Sequence, residues 1–174
     1  MRTRNLNLIE HEPELLRALF ASAEAYEQRS GHRLAEGVRD FFVSPDVSAE
    51  YVARVQTATA ADPWRHGYAV MLVAENTIIG ACGYKGPPAH KTVEIGYGIA
   101  PGYRGKGYAT EAAMALVDRA FETGLANTVR AHTLPERNAS ARILEKCGFK
   151  LLGEVNDPED GRVWRWEKQK TLPS

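Results

Sequence analysis

The sequence has no excess of either charge: 22 Lys and Arg balance 22 Asp and Glu. A general nucleic-acid or membrane-surface binder usually carries a basic surplus, so neither partner is expected. Cysteine is scarce too. Cys82 and Cys147 lie far apart, in apolar surroundings, and neither belongs to a CxxC pair. A disulfide framework and a cysteine-rich metal centre are thereby excluded. No metal is expected, and both thiols are read as reduced core residues of a cytoplasmic protein. No apolar run is long enough to span a bilayer, and no signal-peptide apolar stretch follows the basic start Met1-Arg2-Thr3-Arg4. Two common phosphate-binding signatures are also missing. The chain has no P-loop run, and Gly105-Lys106-Gly107 lacks the third glycine of a dinucleotide fingerprint.

What is present reads as one domain over residues 1–174, undivided by repeats, low-complexity tracts or linker-like shifts. Residues 5–10 alternate as a first strand. Leu15, Leu16, Leu19, Phe20 and Ala23 recur at helical spacing over 13–25, with Pro13 in the first turn and Gly31 as the breaker. Residues 34–42 read as helical, and Ser48 caps a helix over 49–60. Residues 67–74 and 78–84 form a hairpin about Glu75-Asn76-Thr77, and another strand covers 92–99. A strongly amphipathic helix then runs to residue 122 and ends at Gly124. A strand over 128–134, a helix over 138–147 closed by Gly148, and strands over 150–155 and 163–167 complete the order. The tail beyond is expected to fray. Spacing alone therefore predicts an α+β or α/β-like three-layer protein, a mixed sheet with helices on both faces.

The loop Arg104-Gly105-Lys106-Gly107-Tyr108-Ala109-Thr110 stands between a strand and that amphipathic helix. The first N–H groups of a helix lack intrahelical acceptors, and its dipole is positive there. Gly105 and Gly107 expose the backbone, while Arg104 and Lys106 add charge. These parts make a site for a phosphate or diphosphate. Read on its glycines alone, the loop is equally a plain turn.

The segment Arg104-Gly105-Lys106-Gly107-Tyr108-Ala109 resembles the cofactor signature of the GNAT acetyltransferases. It follows Val93-Glu94-Ile95-Gly96-Tyr97-Gly98-Ile99, which is similar to the pantetheine-binding strand of that family. Downstream, Asn138-Ala139-Ser140-Ala141-Arg142-Ile143-Leu144-Glu145-Lys146-Cys147-Gly148-Phe149 looks like its second motif. The RimJ/RimL-like branch resembles the chain most, from about residue 68 to 155. The resemblance implies a GNAT fold with a mostly antiparallel sheet of about six to seven strands, splayed at the cofactor site. It implies acetyl-CoA as acetyl donor, an amine as acceptor and direct transfer without a covalent enzyme intermediate. Arg104, Gly105, Lys106, Gly107, Tyr108, Ala109 and Thr110 would hold the diphosphate. Gly96 and Gly98 suit a bulge that splays the strand. A backbone N–H near Tyr97 to Ile99 would then polarise the thioester carbonyl. A homodimer is the assembly considered.

Amine attack on a thioester benefits from a base. Glu94, pointing opposite Val93, Ile95 and Tyr97, is the first candidate, against an exposed strand carboxylate or a structural ion pair. His132 is its rival, against a structural, hydrogen-bonded histidine. Relatives carry a tyrosine acid where this chain has Leu144, and Ser140 is the hydroxyl nearby. It reads equally as an acid or as a helix N-terminal hydroxyl. Arg137 holds the place of the cofactor-contacting asparagine, so Asn138 either substitutes for it or only caps the helix. Trp64, Tyr26, Tyr51 and the Phe41-Phe42 pair line an acceptor cleft or pack as core. A non-catalytic acyl-CoA sensor is the alternative function.

Overall fold

The computed structural model describes residues 1–173. Its sheet runs β1 (Leu6–Glu10), β3 (Tyr68–Leu72), β4 (Thr77–Tyr84), β5 (Thr92–Ile99), β6 (Thr128–Thr133), β8 (Gly161–Gln169) and β7 (Lys150–Asp157). A two-residue strand, β2 (Arg33–Leu34), pairs in parallel with the start of β4. The β5–β6 contact is parallel too, and the remaining contacts are antiparallel.

Alternation along the strands sorts side chains to two faces. On β5, Val93, Ile95 and Ile99 are buried on one face. Against them pack α6 (Tyr108–Glu122), through Ala112, Ala113, Leu116, Val117 and Ala120, and α7 (Ala139–Lys146), through Ala141 and Leu144. The other face carries α1 (Pro13–Ala21), α2 (Ala23–Ser30), α3 (Asp40–Val43) and α4 (Ala49–Thr57) around Leu16, Leu19, Tyr26 and Val55. Trp166 is buried and Trp164 half-buried at ring contact with it, so the last strand places both on the α6 face.

Several elements differ from the sequence reading for local reasons. The helix expected over 13–25 is two helices, because Ser22 leaves the helical region (φ −167°) and its side chain caps α2 by accepting from Ala25 N at 3.0 Å. Most of 34–42 is not helical. Gly37 adopts φ +92°, and only residues from Asp40 onward coil. A short helix, α5 (Pro63–His66), stands where none was expected. Asp62 caps it and Pro63 opens it, a start signal that the sequence did contain. The last hairpin is longer than predicted because Asp157 Oδ1 accepts from Glu159 N and Asp160 N and confines the turn. The tail expected to fray after residue 167 is held at first, because Lys168 and Gln169 extend the last strand and Lys170 N donates to Asn127 O at 2.8 Å. No regular element follows through Pro173, and Ser174 lies outside the described residues.

Candidate active site

The sheet opens between β5 and β6. Their pairing covers Thr92, Val93 and Glu94, against Thr128, Val129 and Arg130. Beyond Glu94, β5 keeps only β4, while β6 continues along β8. Two strand edges with free peptide groups thus face each other across a wedge. Such an edge accepts an extended ligand bearing amides.

The splay does not come from a bulge at Gly96 and Gly98, since β5 stays in continuous register with β4 from Gly80↔Ile99 to Tyr84↔Ile95. The bulge lies one strand away. Val70 pairs Gly80 and Met71 pairs Ile78, which leaves Ile79 as the extra residue of β4. The glycines serve space instead. A Cβ on Gly80 would sit 2.2 Å from Gly98 O, and one on Gly98 would press into the Phe41 ring at 3.0 Å.

At the end of β5 the chain makes a short 3-10 turn, Pro101–Tyr103, and enters the loop. Arg104 Nε donates to Ile99 O at 2.9 Å and ties the loop to the strand. Gly105 (φ +75°) and Gly107 (φ +84°) occupy the left-handed region, where other L-residues are costly. Gly107 is the N-cap of α6 and offers no capping side chain. The amides of Tyr108, Ala109 and Thr110 therefore stay available to an anion. Lys106 Nζ lies 5.4 Å from the centre of the half-buried Tyr103 ring, so its charge stays at the loop.

On the face opposite α6, Glu94 and His132 are hydrogen-bonded to each other. His132 Nδ1 donates to Glu94 Oε1 at 2.8 Å, and Arg165 Nε donates to His132 Nε2 at 3.2 Å. The second bond uses the Nε2 lone pair and so places the ring proton on Nδ1. Lys85 Nζ meets the same Oε1 at 3.0 Å and Asp160 Oδ2 at 3.6 Å. Burial works against the Lys85 charge, yet Glu94 and Asp160 outweigh it and hold its pKa above the usual lysine value. Both bonds to Glu94 fall on Oε1, and no partner among the described residues reaches Oε2.

The same face holds a cleft of about 830 Å³, floored by Gly83, Gly96 and Gly98 and walled by Phe41, Phe42 and Tyr51. Of the other aromatics, Tyr26 is core and Trp64 packs on Tyr84 at 4.5 Å between ring centres. Sequence reading missed His11, which also borders the cleft. Burial pushes its pKa down to about 4, and its Nδ1 donates to His66 O at 3.1 Å, leaving Nε2 as an acceptor.

Across the wedge, Ser140 Oγ in the first turn of α7 meets Tyr97 Oη at 3.2 Å. Tyr97 is the second residue missed; its place on β5, facing α7, was the available signal. Asn138 caps α7, its Oδ1 accepting from Ala141 N at 2.9 Å, which leaves only its side-chain NH₂ to reach a ligand. Arg137 pairs with Glu145 on the surface. Leu144 is fully buried. Both cysteines are buried, and burial pushes the Cys82 thiol up to about 12 and the Cys147 thiol upward as well, which suits structural thiols rather than nucleophiles.

An open strand edge that leads into a glycine loop at a helix N-terminus suits an extended, anion-ended ligand. Residues 6–150 match the family described as acetyltransferase (GNAT) domain, and the chain belongs to that family. Among curated proteins it is similar to the uncharacterized N-acetyltransferase p20 of Bacillus licheniformis, 28% identical over 96 residues, 55% of this chain and 54% of p20. The matched region thus spans about half the length of that relative. An acetyltransferase of the GNAT family from Bacillus anthracis shares the fold, with a TM-score of 0.66, 22% identity and 97% of each chain covered. So does RimL, a ribosomal L7/L12 α-N-protein acetyltransferase solved with coenzyme A, with a TM-score of 0.64, 16% identity and coverage of 97% of this chain and 96% of that one.

Proposed function

We propose that this chain is an acetyl-CoA-dependent N-acetyltransferase that moves the acetyl group to a primary amine by direct attack. The observation that carries the reading is Glu94. Its uncommitted Oε2 belongs to the last β5 residue paired with β6, on the same sheet face as the cleft's bare floor at Gly96 and Gly98. Relatives in the fold bind coenzyme A, and the unpaired β5 edge and the glycine loop suit its amides and diphosphate.

In this reading residues 104–110 hold the diphosphate, Asn138 adds its side-chain NH₂, and residues 95–99 pair with the pantetheine amides. An N–H among Tyr97 to Ile99 meets the thioester carbonyl as charge develops on it, a contact worth about 10²–10³ in rate. Glu94 Oε2 takes the amine proton. His132 orients the carboxylate rather than acting as base, because its free lone pair is held by Arg165. The acceptor is a small-molecule amine or a protein N-terminus, in the cytoplasm, and no nucleic acid, membrane or metal takes part.

The test is thiol release from acetyl-CoA across polyamines, amino acids and peptides with free N-termini. Turnover on at least one amine is expected. Tight acetyl-CoA binding with no turnover on any would overturn the reading in favour of an acyl-CoA sensor, the function that Leu144 in place of a tyrosine acid would suit.

A further inference from the structure

We infer that Tyr97 is the proton donor behind Ser140: where Ser140 Oγ serves as the acid for the departing thiolate, Tyr97 Oη refills its proton. The inference rests on the transfer reading above and adds the acid half that Glu94 does not supply.

Tyr97 belongs to β5 and Ser140 to α7, which follows β6, so their side chains come from the two arms that diverge beyond Glu94. Their 3.2 Å hydrogen bond spans the gap. A thioester lying along the β5 edge has its sulfur between these arms. Other proton carriers nearby are engaged. Thr133 Oγ1 donates to Leu134 O and accepts from Trp166 Nε1. The Cys147 thiol is buried and directed to Thr110 O at 3.8 Å. Leu144 has no proton to give. Burial pushes the Tyr97 phenol up to about 12, against a smaller opposing effect of the Ser140 hydrogen bond, so the phenol is a proton reservoir at neutral pH.

The step balances. The amine nitrogen bonds to the acyl carbon, the C–S bond breaks, and its electron pair stays on sulfur. Ser140 protonates sulfur, Tyr97 reprotonates Ser140, and solvent water restores the phenol. The amine proton leaves through Glu94, so amine and thioester become amide and thiol with no redox partner.

The experiment compares wild type, Tyr97→Phe, Ser140→Ala and a variant with a fluorinated tyrosine at position 97, which keeps ring and hydroxyl but lowers the phenol pKa. Acetyl-CoA Kd and the pH profile of kcat are read on an amine that wild type acetylates. The expected result is a loss of about a hundredfold in kcat for Tyr97→Phe, with Kd changed by less than about twofold. The fluorinated variant gains a falling limb of kcat at high pH that wild type lacks, which a merely structural tyrosine would not produce. Full kcat in Tyr97→Phe, or no new limb, overturns the pair while leaving the transferase standing. Absence of wild-type turnover on every amine overturns both.

Discussion

The β5–α6 arm of the wedge offers a ligand one continuous stretch of chain, residues 95–110. On the opposite face of the sheet, the cleft collects His11, Phe41, Tyr51, Lys85 and the floor glycines from segments scattered over the first hundred residues. The first side is bare peptide positioned by glycine conformation and a helix terminus. The second is a set of side chains whose positions depend on how four helices pack against the sheet. A backbone site tolerates little change in its own residues and is fixed by local sequence. A side-chain site depends on contacts that no local window contains. In the proposed function the first takes the donor and the second the acceptor, so the two should fail in different measurements.

The largest separation should come from Glu94→Gln. Turnover is expected to fall by about 10²–10⁴ while acetyl-CoA affinity stays near wild type, as steady-state kinetics and calorimetry would show. Parallel loss of both would merge the two sides. Gly107→Val attacks the other side. A β-branched residue at φ +84° costs about 1–2 kcal/mol or more, so acetyl-CoA Kd should rise about tenfold or beyond, with kcat at saturation largely kept.

His11 offers a pH test confined to the cleft side. Its folded pKa of about 4 lies below the ordinary 6.5, so the unfolded chain binds the proton first. The stability contribution is complete above pH 6.5 and drains away as pH falls toward 4, by up to about 3 kcal/mol. Denaturation midpoints across that window should fall less steeply in His11→Asn than in wild type. The smallest effect is expected for Arg165→Gln, which removes one hydrogen bond to His132. A change of about fivefold in kcat/KM, with no change in acetyl-CoA affinity, would place Arg165 as a support for the Glu94–His132 pair.

The same contrast explains what the sequence disclosed. Gly105, Gly107 and the amphipathic helix after them were legible because loop conformation and helix terminus are local properties. Strand alternation likewise put Glu94 on the face opposite Ile95 and Tyr97. The Glu94–His132 contact was not legible, because it depends on parallel pairing between strands separated by a whole helix. His11 and Tyr97 escaped for the same reason, since their partners, His66 and Ser140, are 55 and 43 residues away. The bulge was misplaced onto Gly96 and Gly98 because glycine marks both a bulge and a close approach. Only the register with β3 shows that the extra residue is Ile79.

Amide hydrogen exchange with and without acetyl-CoA tests the division of the site most directly. The account predicts added protection over residues 95–110 and none over α1 to α4. Protection spread across those helices, or none in the loop of Gly105 and Gly107, would contradict it.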